Sequence, residues 1–198
     1  MLITSDYAQL NRQLHEARPD YGTSGRQWAE LGAALASAMA SELACDTARN
    51  NRAIDILDYG CGKQTLAATL PNLDIRGYDP AMPDMQTPPE PADLVVCTDV
   101  LEHVEADCID DVMEDLCRVT RHAAFVTVAT RPAHKTLADG RNAHLIVENL
   151  HWWRDKFVQR FDIVAGHDAA GTELALLLRA VHADDSLLRG FDLVTFIR

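Results

Sequence analysis

The stretch Ala53-Ile54-Asp55-Ile56-Leu57-Asp58-Tyr59-Gly60-Cys61-Gly62 decides the fold. Its first half is a short apolar run of the kind that forms a strand, and it ends on an acid that leads straight into two glycines. Glycine at 60 and 62 lets the backbone turn sharply and approach a ligand with no Cβ in the way. A helix pattern follows over residues 65–70 and stops at Pro71. Strand, tight turn and helix in that order begin a parallel α/β unit, whose ligands sit beyond the carboxyl ends of the strands where strand order reverses. The N-terminus of the following helix offers unpaired N–H groups to the same place.

Upstream, residues 4–18 read as a polar helix. Asp20-Tyr21-Gly22-Thr23-Ser24-Gly25 reads as a turn, and residues 26–45 as a long Ala-rich helix with Trp28, Leu31, Leu35 and Met39 on one face. Downstream, Asp74-Ile75-Arg76-Gly77-Tyr78-Asp79 is a second strand halted by Pro80. Pro83, Pro88, Pro89 and Pro91 make residues 81–91 a loop in which a third strand is missing or very short. Leu94-Val95-Val96-Cys97 has the continuous apolar character of a strand buried on both faces. Leu101, Val104, Cys108, Val112 and Leu116 predict a helix over residues 101–118. Then come a strand at 123–129, a polar segment at 131–142, a helix at 148–160, and strands at 162–165 and 172–181 paired around Gly171. The expected fold class is α/β: a single Rossmann-like, doubly wound, mostly parallel sheet with a C-terminal antiparallel hairpin and N-terminal helices.

Composition excludes several function classes. The chain has 198 residues, 47% hydrophobic and 24% charged, as in one ordinary globular domain. No apolar run approaches the ~18 residues of a membrane span. The start Met1-Leu2-Ile3-Thr4-Ser5-Asp6 has no basic leader region, so a cytoplasmic protein without a membrane partner is expected. Five cysteines with no Cys-x-x-Cys spacing argue against a disulfide framework or zinc knuckle, and Cys97 and Cys108 read as small core residues. A net charge of −12 with scattered Lys and Arg disfavours nucleic acid and favours a small molecule or a protein group as partner.

Acids stand at three strand ends: Asp58, Asp79 and Asp99. Asp79 is placed for a bidentate bond to vicinal ribose hydroxyls. A dinucleotide fingerprint starting at Gly60 needs Gly or Ala where Thr65 stands, and Asp58 would repel a pyrophosphate. Both observations weaken a nicotinamide oxidoreductase and favour a nucleoside that carries an ammonium and a sulfonium.

Asp58-Tyr59-Gly60-Cys61-Gly62 resembles motif I of the class I S-adenosylmethionine-dependent methyltransferases, and Tyr78-Asp79 is similar to their ribose-binding acid. The run from Asp93 to Val104 resembles the signature of the branch that includes the ubiquinone-biosynthesis O-methyltransferases. The resemblance spans residues 54–180 and implies methyl transfer from S-adenosylmethionine, with S-adenosylhomocysteine as product. It implies that Gly60, Cys61 and Gly62 approach the cofactor and that Asp58 holds its amino group. Asp79 would bind the ribose, Thr98 and Asp99 would line the methionine side, and Tyr21 would contact the sulfonium from a lid. Asp84 and Gln86 are the local candidates for adenine. The expected organisation is one methyltransferase domain over 1–198: a helical cap to residue 50, a cofactor-binding core over 51–181 and an extension over 182–198. The apolar run Phe191 to Ile197 in that extension reads as an added edge strand, with a homodimer contact open as its use.

His103 and His144 are the candidate catalytic bases for a hydroxyl acceptor. His134, Lys135, Arg141 and Asn142 are candidates to bind an anionic or polyhydroxylated acceptor. Asp99, Glu102 and His103, spaced to share the first turn of a helix, would form a divalent-ion set with His144. Metal-dependent small-RNA 2′-O-methyltransferases look similar there, but the expectation is a site without metal. Trp152-Trp153 reads as one core ring and one surface ring. The alternatives are an inactive protein that only binds the nucleoside, and a metal-assisted O-methyltransferase.

Overall fold

In a computed structural model of the protein, the structure describes residues 1–44, 53–181, 188 and 191. One six-stranded sheet organises them: β1 (Ile56–Tyr59), β2 (Ile75–Tyr78), β3 (Ala92–Thr98), β4 (Thr120–Ala129), β5 (Phe161–Asp168) and β6 (Glu173–Ala180). Their spatial order is β2-β1-β3-β4-β6-β5. β1 pairs in parallel with both β2 and β3, and β3 with β4, whereas β6 runs antiparallel to both its neighbours. From β1 the chain steps outward to β2 and then returns to place β3 on the other side. The order therefore reverses between β1 and β3, where a doubly wound sheet opens a crevice. This is the fold class expected from the sequence.

Helices cover both faces: α1 (Ser5–Ala17), α2 (Ala29–Ala44), α3 (Thr65–Thr69), α4 (Ile109–Val119) and α5 (Leu150–Phe157). Alternation along the strands sorts the core into two layers. Ile56, Leu94, Val96 and Phe125 pack against Trp28, Leu31, Leu35 and Met39 of the N-terminal helical region. Leu57, Val95, Cys97 and Val126 pack against Val112, Met113 and Leu116 of α4 and Trp153 and Phe157 of α5. β1 and β3 are buried along their whole length, which is why they read as unbroken apolar runs. A third, smaller cluster joins Tyr7 and Leu14 of α1 to Tyr21, Leu137 and Ala143, and so roofs the crevice.

Several expectations need correction or limits. The helix expected over 101–118 is broken: Leu101–His103 form a 3-10 turn, Val104 is extended, and α4 starts only at Ile109. The turn's polar groups are used for tertiary bonds instead, since Ile146 N–H donates to Glu102 O and Ala129 N–H donates to Glu102 Oε1. Cys108 caps α4 rather than lying within it, though it is buried as expected. The helix expected from residue 26 starts at Ala29, preceded by a 3-10 turn over Ser24–Arg26. Cys45 and the edge strand read from Phe191 to Ile197 lie outside the described residues apart from Phe191, which packs against the α2 layer. No helix among the described residues is long and apolar enough to cross a membrane.

Candidate active site

The crevice at the strand ends is a cavity of about 390 Å³, within the roughly 300–1,000 Å³ range of small-molecule sites. Gly60 from the β1 turn, Asp79 after β2, and Thr98 and Asp99 at the end of β3 form its floor. Gly60 has φ +78°, and a Cβ there would stand 2.4 Å from Val100 Cγ2. Only glycine fits that turn at that distance. Asp79 accepts hydrogen bonds from Gly62 N–H (3.0 Å) and Ala81 N–H (2.9 Å), which fixes its carboxylate at the cavity edge.

Asp58, Cys61 and Gly62 are adjacent to the cavity without lining it. Asp58 is buried, and burial followed by the nearby Asp79 pushes its carboxyl up to about 7. Cys61 turns its Sγ toward Gly77, where a Cβ would meet it at 2.9 Å. Gly62 is covered by Gly22 and His15. Asp84 and Gln86 are exposed, outside the cavity.

The turn at residues 20–25 is clipped onto this floor. Lys63 N–H donates to Gly22 O (3.1 Å), Thr65 Oγ1 donates to Thr23 O (3.0 Å), and Ser24 Oγ donates to Thr98 O (3.1 Å). Tyr21 is thereby buried in the cavity wall, its ring edge-on to His15 and to His103. Lys135 closes the rim with an ion pair to Asp20 at 2.9 Å.

His103 and His144 meet with ring centroids 4.8 Å apart. His103 Nδ1 lies 2.7 Å from Ala143 O, and His144 Nδ1 lies 2.6 Å from Arg131 O. A carbonyl only accepts, so in both rings Nδ1 carries the proton and Nε2 carries a lone pair. Burial lowers His103 to about 3 and also lowers His144, so both rings are neutral near pH 7. Glu102, fully buried beside them, is raised by burial and then by Asp99. Glu102, His103 and His144 each offer a donor atom, all within 4.8 Å of one another. Asp99 stands outside that group: its backbone is left-handed (φ +53°), and Thr127 Oγ1 donates to its carboxylate at 3.2 Å.

Among the residues expected to bind an acceptor, His134 and Lys135 line the cavity. Arg141 pairs with Asp139, and Asn142 is folded back onto both backbone groups of Ala133. Tyr7, Asn11 and His15 of α1, with Arg131 and Glu173, also line the cavity and went unrecognised in the sequence. No motif marks them; they arrive through the α1 roof and the β4 and β6 strand ends.

The wall thus combines a glycine turn, the strand-end acid Asp79 and several carboxyls that burial holds above their ordinary range. Residues 26–168 match the family described as methyltransferase domain. The chain belongs to that family. A search of curated proteins finds no match. Among solved structures, the DhpI–SAH complex aligns with TM-score 0.55 at 16% identity, covering 90% of this chain and 97% of that one. The PH0226 protein from Pyrococcus horikoshii OT3 aligns with TM-score 0.52 at 11% identity, covering 72% of this chain and 88% of the other. These likenesses show the shared fold; the ubiquinone-biosynthesis branch is not among their findings.

Proposed function

We propose that this methyltransferase-family chain moves a methyl group from S-adenosylmethionine to a small, hydroxyl-bearing acceptor. The observation that carries the reading is the convergence of Gly60, Asp79, Thr98 and Asp99 at the β1/β3 switch point, on the floor of one cavity with His103 and His144 in its wall. The DhpI structure was solved with SAH, which supports the same ligand here. Asp79 keeps acceptor capacity beyond its two backbone bonds, enough for vicinal ribose hydroxyls. Asp58, Asp79 and Asp99 are all raised by burial, so a cationic ligand is favoured over an anionic one in their neighbourhood.

The protein's contribution to catalysis is alignment. Tyr21 and the clipped turn hold one side of the cavity closed to water, and the floor fixes the nucleoside so that nucleophile, methyl carbon and sulfur fall in line. The acceptor oxygen forms its bond to the methyl carbon as the carbon–sulfur bond breaks, and the acceptor proton leaves toward the His103–His144 wall. A protein that binds the nucleoside without turnover is the competing reading.

Titration with S-adenosylmethionine, S-adenosylhomocysteine and NAD, repeated on Asp79→Ala, tests the cofactor. Binding of NAD alone overturns the proposal, and adenosylhomocysteine binding unchanged in Asp79→Ala removes the ribose assignment. Labelled-methyl transfer into fractionated extract then separates enzyme from binding protein.

A further inference from the structure

We propose that Glu102, His103 and His144 form a binding site for one divalent transition-metal ion in the wall of the cavity. On sequence grounds the candidate ion set was Asp99, Glu102 and His103 on a shared helical turn, with His144, and a site without metal was expected because similar methyltransferases use none. The folded chain clusters three of the four, Glu102, His103 and His144. Asp99 is held by Thr127 and is not among the clustered donors, while the loop over residues 143–146 brings His144 against His103.

Three independent observations converge. First, Glu102 is fully buried, and only one of its carboxylate oxygens is used, by Ala129 N–H at 2.8 Å. Oε2 has no hydrogen-bond partner, and among the described residues no Lys or Arg forms an ion pair with this carboxylate. A buried carboxylate oxygen without a partner is costly to leave so, and a cation is one of the few groups that satisfies it. Second, both imidazoles are held by backbone carbonyls through Nδ1–H, to Ala143 and Arg131. That is how metal-binding histidines are oriented, with the other nitrogen's lone pair left for the ion. Third, each of the three residues offers a ligand atom within 4.8 Å of those of the other two. Two metal–ligand bonds of about 2.1 Å span at most about 4.2 Å, so a small side-chain rotation closes the set.

Two imidazoles with one carboxylate suit zinc, cobalt, iron or manganese better than magnesium or calcium, which prefer oxygen throughout. All three residues line the cavity. Three protein donors leave further coordination positions for water or for oxygens of a molecule bound there. An ion at this place would take the Nε2 lone pairs out of proton transfer and would instead make a coordinated hydroxyl acidic enough to lose its proton to water.

The test uses the full chain, stripped with chelator and freed of any histidine tag. Calorimetric titration with ZnCl2, MnCl2 and MgCl2, and the visible absorption of added CoCl2, read binding without any assay of activity. The expected result is one Zn²⁺ or Co²⁺ per chain and at least tenfold weaker binding of Mg²⁺. Thermal melting should show a zinc-dependent rise in Tm. His144→Ala, a partly exposed side chain whose loss leaves the core intact, is expected to weaken Zn²⁺ binding at least tenfold and abolish the Tm rise. Glu102→Gln should do the same, and circular dichroism shows whether that buried variant folds. Absence of micromolar binding in the wild-type chain overturns the site. So does binding that is undiminished in a folded His144→Ala. Neither outcome bears on S-adenosylmethionine binding, which is read by its own titration.

Discussion

His103 and His144, far apart in sequence, meet edge to face with ring centroids 4.8 Å apart, each donating Nδ1–H to a backbone carbonyl. The contact joins the turn after β3 to the loop after β4, so two strand-end segments that carry no mutual sequence signal form one wall of the cavity. Its chemistry depends on both rings staying neutral, and the surroundings of each enforce this through burial.

Gly60→Ala should fold less stably and bind S-adenosylhomocysteine weakly. The new methyl group meets Val100 Cγ2 at 2.4 Å, and φ +78° is strained for any residue with a Cβ. A loss of about 1–3 kcal/mol is expected, measured by urea unfolding. Stability equal to wild type would show that the turn relaxes around the change.

Asp79→Ala should cost stability as well as ligand binding. Gly62 N–H and Ala81 N–H lose their acceptor together, and each buried unsatisfied donor costs about 1–3 kcal/mol. Asp79→Asn keeps one carbonyl acceptor and should recover part of the stability while ligand binding stays impaired. Denaturation and calorimetry on both variants separate the two effects.

Asp58 should make the ligand-free protein less stable as pH rises. Its folded carboxyl is pushed up to about 7 from the ordinary 3.8 of an exposed aspartate. Between those values the folded state holds the proton more tightly than the unfolded state. The stabilisation is full below about pH 3.8 and is lost as pH rises through about 7. Relative to Asp58→Asn, wild type should lose on the order of 4 kcal/mol between pH 4 and pH 8. Parallel stability curves for the two proteins would mean that Asp58 does not titrate in this window.

Trp153→Ala and Trp152→Ala should differ sharply. Trp153 is fully buried between α5 and the sheet, and its truncation should cost about 3–5 kcal/mol. Trp152 lies partly exposed with Lys156 Nζ 5.2 Å from its ring centre, so its loss should cost roughly 1 kcal/mol or less. Thermal melts of the two variants decide this.

Legibility followed the range of the forces involved. β1 and β3 could be read because a strand buried on both faces needs continuous apolar residues, a local requirement visible in Leu94-Val95-Val96-Cys97. The helix at 101–118 was misread because its apolar spacing continues through Val104, while tertiary bonds from Ala129 and Ile146 hold Glu102 in a tighter turn. Tyr7, Asn11 and His15 were missed because nothing local to α1 shows that this helix lies over the crevice.

The sequence by itself determined the strand–turn–helix at Asp58–Gly62, the acids that end the strands, and the layers of the core, since each rests on residue type at short spacing. Only the tertiary structure decided which of those acids reach the cavity and which histidines share a wall. Asp58 and Asp79 both end strands in the sequence, yet Asp58 is buried without lining the cavity while Asp79 is fixed at its edge by two backbone N–H groups. Of the four residues grouped by spacing, Glu102, His103 and His144 cluster and Asp99 does not. Side-chain direction at the end of β3 follows a left-handed backbone at Asp99 and long-range hydrogen bonds, which spacing along the chain does not encode.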